Sequence, residues 1–378
     1  MKRLTESVAA IMIAAAMIFN MSRPVRSAEE EISYILIEAG TGTVLDSKNA
    51  GEERFCGYLA KLMSLLVIAD GIETGKFSES DILSASHSVS GTKGSVIWLE
   101  PGDRLPASEL LKGAVIGNAN DALTVLAEKT EQSIDKFTSE MNCRAFDMGL
   151  RNTRFTSPYG FYGEGEYSSA ADIAEICAEL SRYGFMEKYF SVWRDFVKDG
   201  SVELVNENTL ARTFDGHIGF KASHSEESGY CIAEGARDEN GTVYIAVVLG
   251  APDEETSFSE AKRLIRKGFS EFRTTVPGFP DELLMPVKVM NGVDSAVEIR
   301  LSSQNQLVVP KAAKELSNKV VIPEFISAPV KKGQKIGTVG FYCGDTLVCE
   351  TAIVAEKNVD RLSYSYILRK MLLKVIKK

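Results

Sequence analysis

The chain is poor in the residues that metal chemistry draws on. Only three histidines, His87, His217 and His224, stand among its 378 residues. None forms an H-x-x-x-H or H-E-x-x-H pair, so a histidine-ligated metal enzyme has little support. The six cysteines, Cys56, Cys143, Cys177, Cys231, Cys343 and Cys349, include no C-x-x-C pair, and their irregular spacing does not suit zinc. No metal and no cofactor is expected. Basic residues are also outnumbered, 43 against 52 acidic, for a formal net charge of −9. Residues 1–27 carry four basic groups and one acidic, and residues 361–378 six basic and none acidic, which leaves −18 on the body from 28 to 360. That balance argues against a globally basic nucleic-acid binder. Beyond the N-terminus, no stretch is long and apolar enough to span a bilayer.

What is present reads as an exported chain. Lys2 and Arg3 precede an apolar run from Val8 to Met17, and Val25-Arg26-Ser27 can end a secretory signal over residues 1–27. The alternative is an uncleaved signal anchor. Export would permit disulfides, although buried free thiols are the simpler reading of the cysteines. At 44% hydrophobic, the chain can bury full cores in two or three domains.

The stretch Arg54–Thr74, RFCGYLAKLMSLLVIADGIET, is the organising element. It predicts a buried helix with Lys61 at its start. A buried ammonium is costly unless its site supplies partners. Position 58 lies one turn earlier on the same face. Upstream, Ser33–Glu38 and the segment through Ala39-Gly-Thr-Gly-Thr-Val-Leu-Asp predict a hairpin. Downstream, helices are predicted at Ala107–Ile116, Ala122–Lys129, Ser133–Met148, Ala170–Arg182 (capped by Ser168 or Ser169) and Ser259–Arg273. Strands dominate from Gly219 to Gly250. The order predicts an α+β domain over 28–275 whose sheet takes strands from both ends. Val276-Pro-Gly-Phe-Pro signals a linker into a small all-β domain at 276–357, with a hairpin around Gly344-Asp345. The last segment, 358–378, predicts a basic amphipathic helix suited to an anionic membrane surface, or else docked on its own β domain.

Ordered segments along almost the whole mature chain resemble the serine-type D-alanyl-D-alanine carboxypeptidases, the low-molecular-mass penicillin-binding proteins. They include the Lys61 helix, Asn120-Asp-Ala, Gly149-Leu-Arg-Asn-Thr-Arg-Phe, Pro158-Tyr-Gly, Ser168-Ser-Ala-Ala-Asp, Asn206-Glu-Asn208, Ser228-Gly-Tyr-Cys and Ala328-Pro-Val-Lys-Lys-Gly-Gln. The resemblance implies a penicillin-binding/β-lactamase-like transpeptidase domain followed by the β domain. It also implies three motifs, each altered here. S-x-x-K reads Tyr58-Leu-Ala-Lys61: the base position is kept and the acylating serine is a phenol, which titrates near pH 10. Ser64 matches a family Thr and does not replace it. S-x-N reads Asn118-Ala-Asn120, without the proton-relaying hydroxyl. K-T-G reads Lys221-Ala222-Ser223, with the lysine charge kept for a substrate carboxylate and a side chain where glycine allows close approach.

Nucleophile, relay and clamp act as a unit. Their joint loss points to a non-catalytic, envelope-associated homologue that binds a peptidoglycan stem peptide or a cell-wall protein. The competing reading is an active D-Ala-D-Ala carboxypeptidase with an unusual nucleophile, Lys61 deprotonating Tyr58. A third is a purely structural partner with a vestigial cleft. Lys61 and Lys221 are compatible with ligand binding or with structural ion pairs.

Overall fold

The computed structural model describes residues 32–276, 284–302, 306–313 and 316–369. The signal expected at 1–27 and the end of the terminal helix lie outside them. The larger domain is built on an antiparallel sheet in the order β2-β1-β9-β8-β7, where β1 is Ser33–Glu38, β2 Thr43–Lys48, β7 His217–Ser225, β8 Gly229–Arg237 and β9 Val243–Ala251. β1 pairs with β9, so the sheet joins both ends of the domain as expected. Alternate residues of β1 serve two cores: Ile35 and Ile37 face the helical layer, and Leu36 faces the closing helix.

The organising helix, α1 (Lys61–Glu73), is buried from Lys61 through Ala69. It is apolar all round, which suits a helix enclosed on every side. Around it pack α3 (Asn120–Glu131), α4 (Ile134–Asp147) and α5 (Ala170–Leu180), while α2 (Ala107–Val115) packs on α3. Ser133 caps α4 by accepting from the Lys136 N–H, and Ser169 rather than Ser168 caps α5 by accepting from Asp172. Two short helices follow, α6 (Gly184–Phe190) and α7 (Leu210–Thr213). The closing helix, α8 (Glu254–Glu271), starts five residues earlier than the sequence suggests because Asp253 caps it, accepting from the Thr256 N–H at 2.7 Å. Two-stranded antiparallel ribbons, β3 (Ile82–Ser84) with β4 (Arg104–Pro106) and β5 (Arg194–Val197) with β6 (Val202–Val205), border the helical layer.

The chain leaves α8 directly into β10 (Phe272–Thr275), which pairs antiparallel with β14 (Leu307–Pro310). The smaller domain has its own core, with Val289, Val297, Val339, Phe341 and Ile353 buried. β11 (Val287–Met290) pairs with β12 (Ala296–Val297) and, in parallel, with β16 (Phe325–Ser327). β13 (Ile299–Leu301), β18 (Thr346–Ala355), β17 (Lys335–Cys343) and β15 (Ser317–Val321) form the second sheet. β17 and β18 make the expected hairpin, closing at Cys343 opposite Thr346.

The segment from 358 begins differently from the sequence expectation. Val359 is 1% exposed and bridges Val330, and Arg361 bridges Gly292, so these residues complete the β domain. Helix begins at Tyr364, where Tyr364 and Leu368 are exposed. The cysteines divide: Cys56, Cys177 and Cys231 are buried, Cys143 is exposed, Cys343 and Cys349 are intermediate, and all six are free. Among the described residues no helix is long and apolar enough to cross a membrane.

Candidate active-site cleft

Three elements meet at one cleft: the start of α1, the α2–α3 connection and the outer strand β7. Tyr58 lies in a single 3-10 turn, Gly57–Ala60, that runs into α1 at Lys61. Gly57 has φ +55, a left-handed conformation that glycine adopts readily. Tyr58 is partly exposed, and its ring stands edge-on to Phe161 with centroids 6.5 Å apart. The Lys61 Nζ sits 4.9 Å from the Tyr58 ring centroid. The sequence-predicted pairing of positions 58 and 61 is thus realised across a 3-10 turn.

Lys61 is 1% exposed. Its Nζ donates to the Asn118 backbone O at 2.7 Å and to Asn118 Oδ1 at 2.8 Å. Asn118 has φ +56, a region asparagine tolerates, and this turns its carbonyl toward the amine. Burial, then the charge of Lys221, draws the Lys61 ammonium well below its ordinary value, opposed by Glu207. A neutral amine still has two N–H donors, enough for both bonds.

Lys221 is 4% exposed, and its Nζ donates to Val115 O at 2.8 Å and Ala114 O at 3.4 Å. These are the last carbonyls of α2, so Lys221 caps a helix C-terminus. Burial lowers its pKa to about 8, against the attraction of Glu207. Lys221, the position the resemblance implies for a substrate carboxylate, thus has structural partners in the cleft wall. These partners are carbonyl oxygens, not the local carboxylates the sequence allowed for either lysine.

Asn120 is 0% exposed and donates through Nδ2 to Lys93 O at 2.7 Å, while its Oδ1 is buried without a partner. Its amide is held in the wall. Alternation along β7 puts Lys221 and Ser223 on one face and Ala222 on the other, where Ala222 joins the core against α8. Ser223 is 4% exposed, and its Oγ accepts the Tyr58 backbone N–H at 2.8 Å. Ser64 is fully buried and donates to Pro158 O at 2.8 Å, so it offers no nucleophile.

Sequence reasoning assigned no role to Glu207. Asn206 and Asn208 build the turn that presents it: Asn206 Oδ1 accepts the Asn208 N–H at 2.9 Å, and Asn208 Nδ2 donates to Glu234 at 2.8 Å. Glu207 Oε2 accepts from Asn118 Nδ2 at 3.4 Å. With Tyr58, Ser223, His224 and Tyr230 it lines a cavity of about 440 Å³. His224 stacks on Tyr230, centroids 4.0 Å apart. The Asn-x-Asn spacing around Glu207 was the available signal.

Residues 20–253 match the family model described as D-alanyl-D-alanine carboxypeptidase, and residues 272–361 match that of the penicillin-binding protein 5 C-terminal domain. The chain is 30% identical over 348 residues to D-alanyl-D-alanine carboxypeptidase DacF of Bacillus subtilis (strain 168), covering 91% of this chain and 89% of the relative. It is 30% identical over 335 residues to DacA of Escherichia coli (strain K12), covering 86% and 83%. Penicillin-binding protein 5 from Haemophilus influenzae superposes with a TM-score of 0.80 at 25% identity, over 87% of this chain and 97% of that one. The fold and the paired domains define a low-molecular-mass penicillin-binding protein. The chain belongs to the D-alanyl-D-alanine carboxypeptidase family.

Proposed function

We propose that this chain is an exported, envelope-associated member of its family that has lost acyl transfer and acts by binding a peptidoglycan stem peptide. One observation carries the reading: the position one turn before Lys61 holds Tyr58, and the Lys61 amine is committed to Asn118 rather than to a hydroxyl. A serine–lysine site needs the amine within reach of the nucleophile's proton. The family assignment supports peptidoglycan metabolism as the setting. The terminal segment supplies the membrane contact, through Tyr364, Ile367 and Leu368 and the lysines that follow. A cell-wall protein is the alternative occupant of the cleft.

The test uses the purified mature chain with fluorescent penicillin, with a D-alanyl-D-alanine pentapeptide, and with the same peptide in a melting assay. No adduct, no released D-alanine and a raised melting temperature are expected, since a ligand of the native state stabilises it. A time-dependent acyl adduct in the intact mass overturns catalytic silence. An unmoved melting temperature overturns stem-peptide binding and favours a protein partner or a purely structural role.

One observation favours activity through Tyr58 instead. The Lys61 amine lies 4.9 Å from the phenol ring, and burial lowers its proton affinity. That reading requires measurable D-alanine release in the wild type and its loss in Tyr58→Phe.

A further inference from the structure

Building on the silent cleft, we infer that the Ser223 hydroxyl is a built-in occupant of the oxyanion position, a second lock independent of the missing nucleophile. In acyl transfer the tetrahedral oxyanion is stabilised by preorganised backbone N–H groups, commonly including that of the nucleophile itself. The residue at the nucleophile position here is Tyr58. Its N–H is already taken, donating to Ser223 Oγ at 2.8 Å. An N–H that must first give up an internal acceptor is no longer a preorganised donor.

The surroundings hold this contact in place. Ser223 lies on β7, paired with Cys231 of β8, and only 4% of it is exposed. Its side chain reaches Tyr58 because residue 57 is glycine: a Cβ at position 57 would lie 2.6 Å from Ser223 Oγ. Behind Gly57 stands Gly160, where a Cβ would come within 2.2 Å of the Gly57 carbonyl O. The 3-10 turn therefore cannot retreat from β7 without displacing the loop behind it. A glycine at 223 would leave the N–H facing the cleft, and a serine fills that place with an acceptor. Any ligand carbonyl that seeks this N–H competes with Ser223.

The consequence is that restoring the nucleophile alone leaves the oxyanion unserved. The experiment starts from a chain carrying Tyr58→Ser, Asn118→Ser and Ala222→Thr together, with and without Ser223→Gly, and with Ser223→Ala in its place. Acylation by fluorescent penicillin is followed in time, and the non-covalent binding constant is separated from the acylation rate. Adding Ser223→Gly is expected to raise the acylation rate by roughly 10²–10³-fold, the effect of one oxyanion donor. Ser223→Ala, which removes the hydroxyl and keeps the Cβ, is expected to recover part of it. Equal rates with and without Ser223→Gly, or no acylation of either form, overturn the proposal.

A readout without chemistry guards against misfolding of the multiple variants. In the otherwise unaltered chain, Ser223→Gly should shift the Tyr58 amide proton upfield and speed its solvent exchange, with the fold retained by circular dichroism. A Tyr58 amide unchanged by that substitution overturns the proposal by itself. Labelling of the unaltered chain would sink the silent-cleft reading instead, and the Tyr58 amide would still report on Ser223.

Discussion

Replacing Lys221 with methionine should change the pH dependence of stability in a defined window. In the fold Lys221 titrates at about 8, against 10.5 for an unburied lysine, with burial as the main cause. Below pH 8 both folded and unfolded chains carry the proton, so the fold bears the full penalty of a buried ammonium. Between pH 8 and 10.5 the folded chain has released it and the unfolded chain has not, so stability rises with pH. The difference corresponds to about 3 kcal/mol across the window. Other groups act oppositely: Cys231 is raised to about 11 and Tyr183 to about 12, so the stability they lend is lost as pH rises past their unfolded values. They are common to both proteins and cancel in the comparison. Urea unfolding at pH 7, 8, 9 and 10 measures it. The Lys221→Met advantage, net of its lost bonds to Ala114 and Val115, should shrink steadily above pH 8. Because Lys221 also lowers Lys61, a Lys61→Met background separates the two contributions. Parallel stability curves for wild type and Lys221→Met would refute the burial argument.

Further outcomes are equally direct. Gly160→Ala places a Cβ 2.2 Å from the Gly57 carbonyl at φ +73 and should cost about 2 kcal/mol or more in urea unfolding. An unchanged midpoint would show that this loop yields freely. His217→Ala removes the 2.8 Å contact from buried Glu234 and should destabilise by about 3 kcal/mol by the same measurement. Leu66→Ala, in the core of α1, should cost about 2–5 kcal/mol. Ending the chain after Leu362 should keep the β domain folded and abolish co-sedimentation with anionic vesicles. Ending it before Val359 should also unfold that domain, because Val359 is part of its core.

Much of this architecture was written in local pattern. The α1 run, a cap at Ser168 or Ser169 and the Gly344 hairpin each rest on periodicity or on one residue's chemistry, and each formed, the cap at Ser169. What escaped depends on contacts distant in sequence. The parallel pairing of β16 with β11 gives no period of its own in three residues. Val359 looked like the lead-in to an amphipathic helix, yet its bridge to Val330 makes it a strand-like core residue. In the cleft, the motif positions 58, 61, 118, 120, 221 and 223 were legible, but their partners were not. That Lys221 would cap α2, and that Asn120 would turn its amide to Lys93, follow from how three elements converge. Glu207 was visible only as the middle of an Asn-x-Asn turn, with nothing local to say that it faces two lysines.

The β10–β14 ladder bears on how the molecule carries load. Four residue pairs, Phe272 with Pro310 through Thr275 with Leu307, run antiparallel across the junction. The Lys311 N–H adds a bond to Glu271 O at 2.7 Å, at the end of α8. A nick in the chain between 275 and 307 would leave the two bodies zipped by these bonds. A pull on the C-terminal end enters the β domain, crosses this ladder and arrives at α8, which packs on β8 and β9, and β8 in turn carries β7 through their shared ladder. The outer wall of the cleft is thus in mechanical series with whatever holds the far end of the chain.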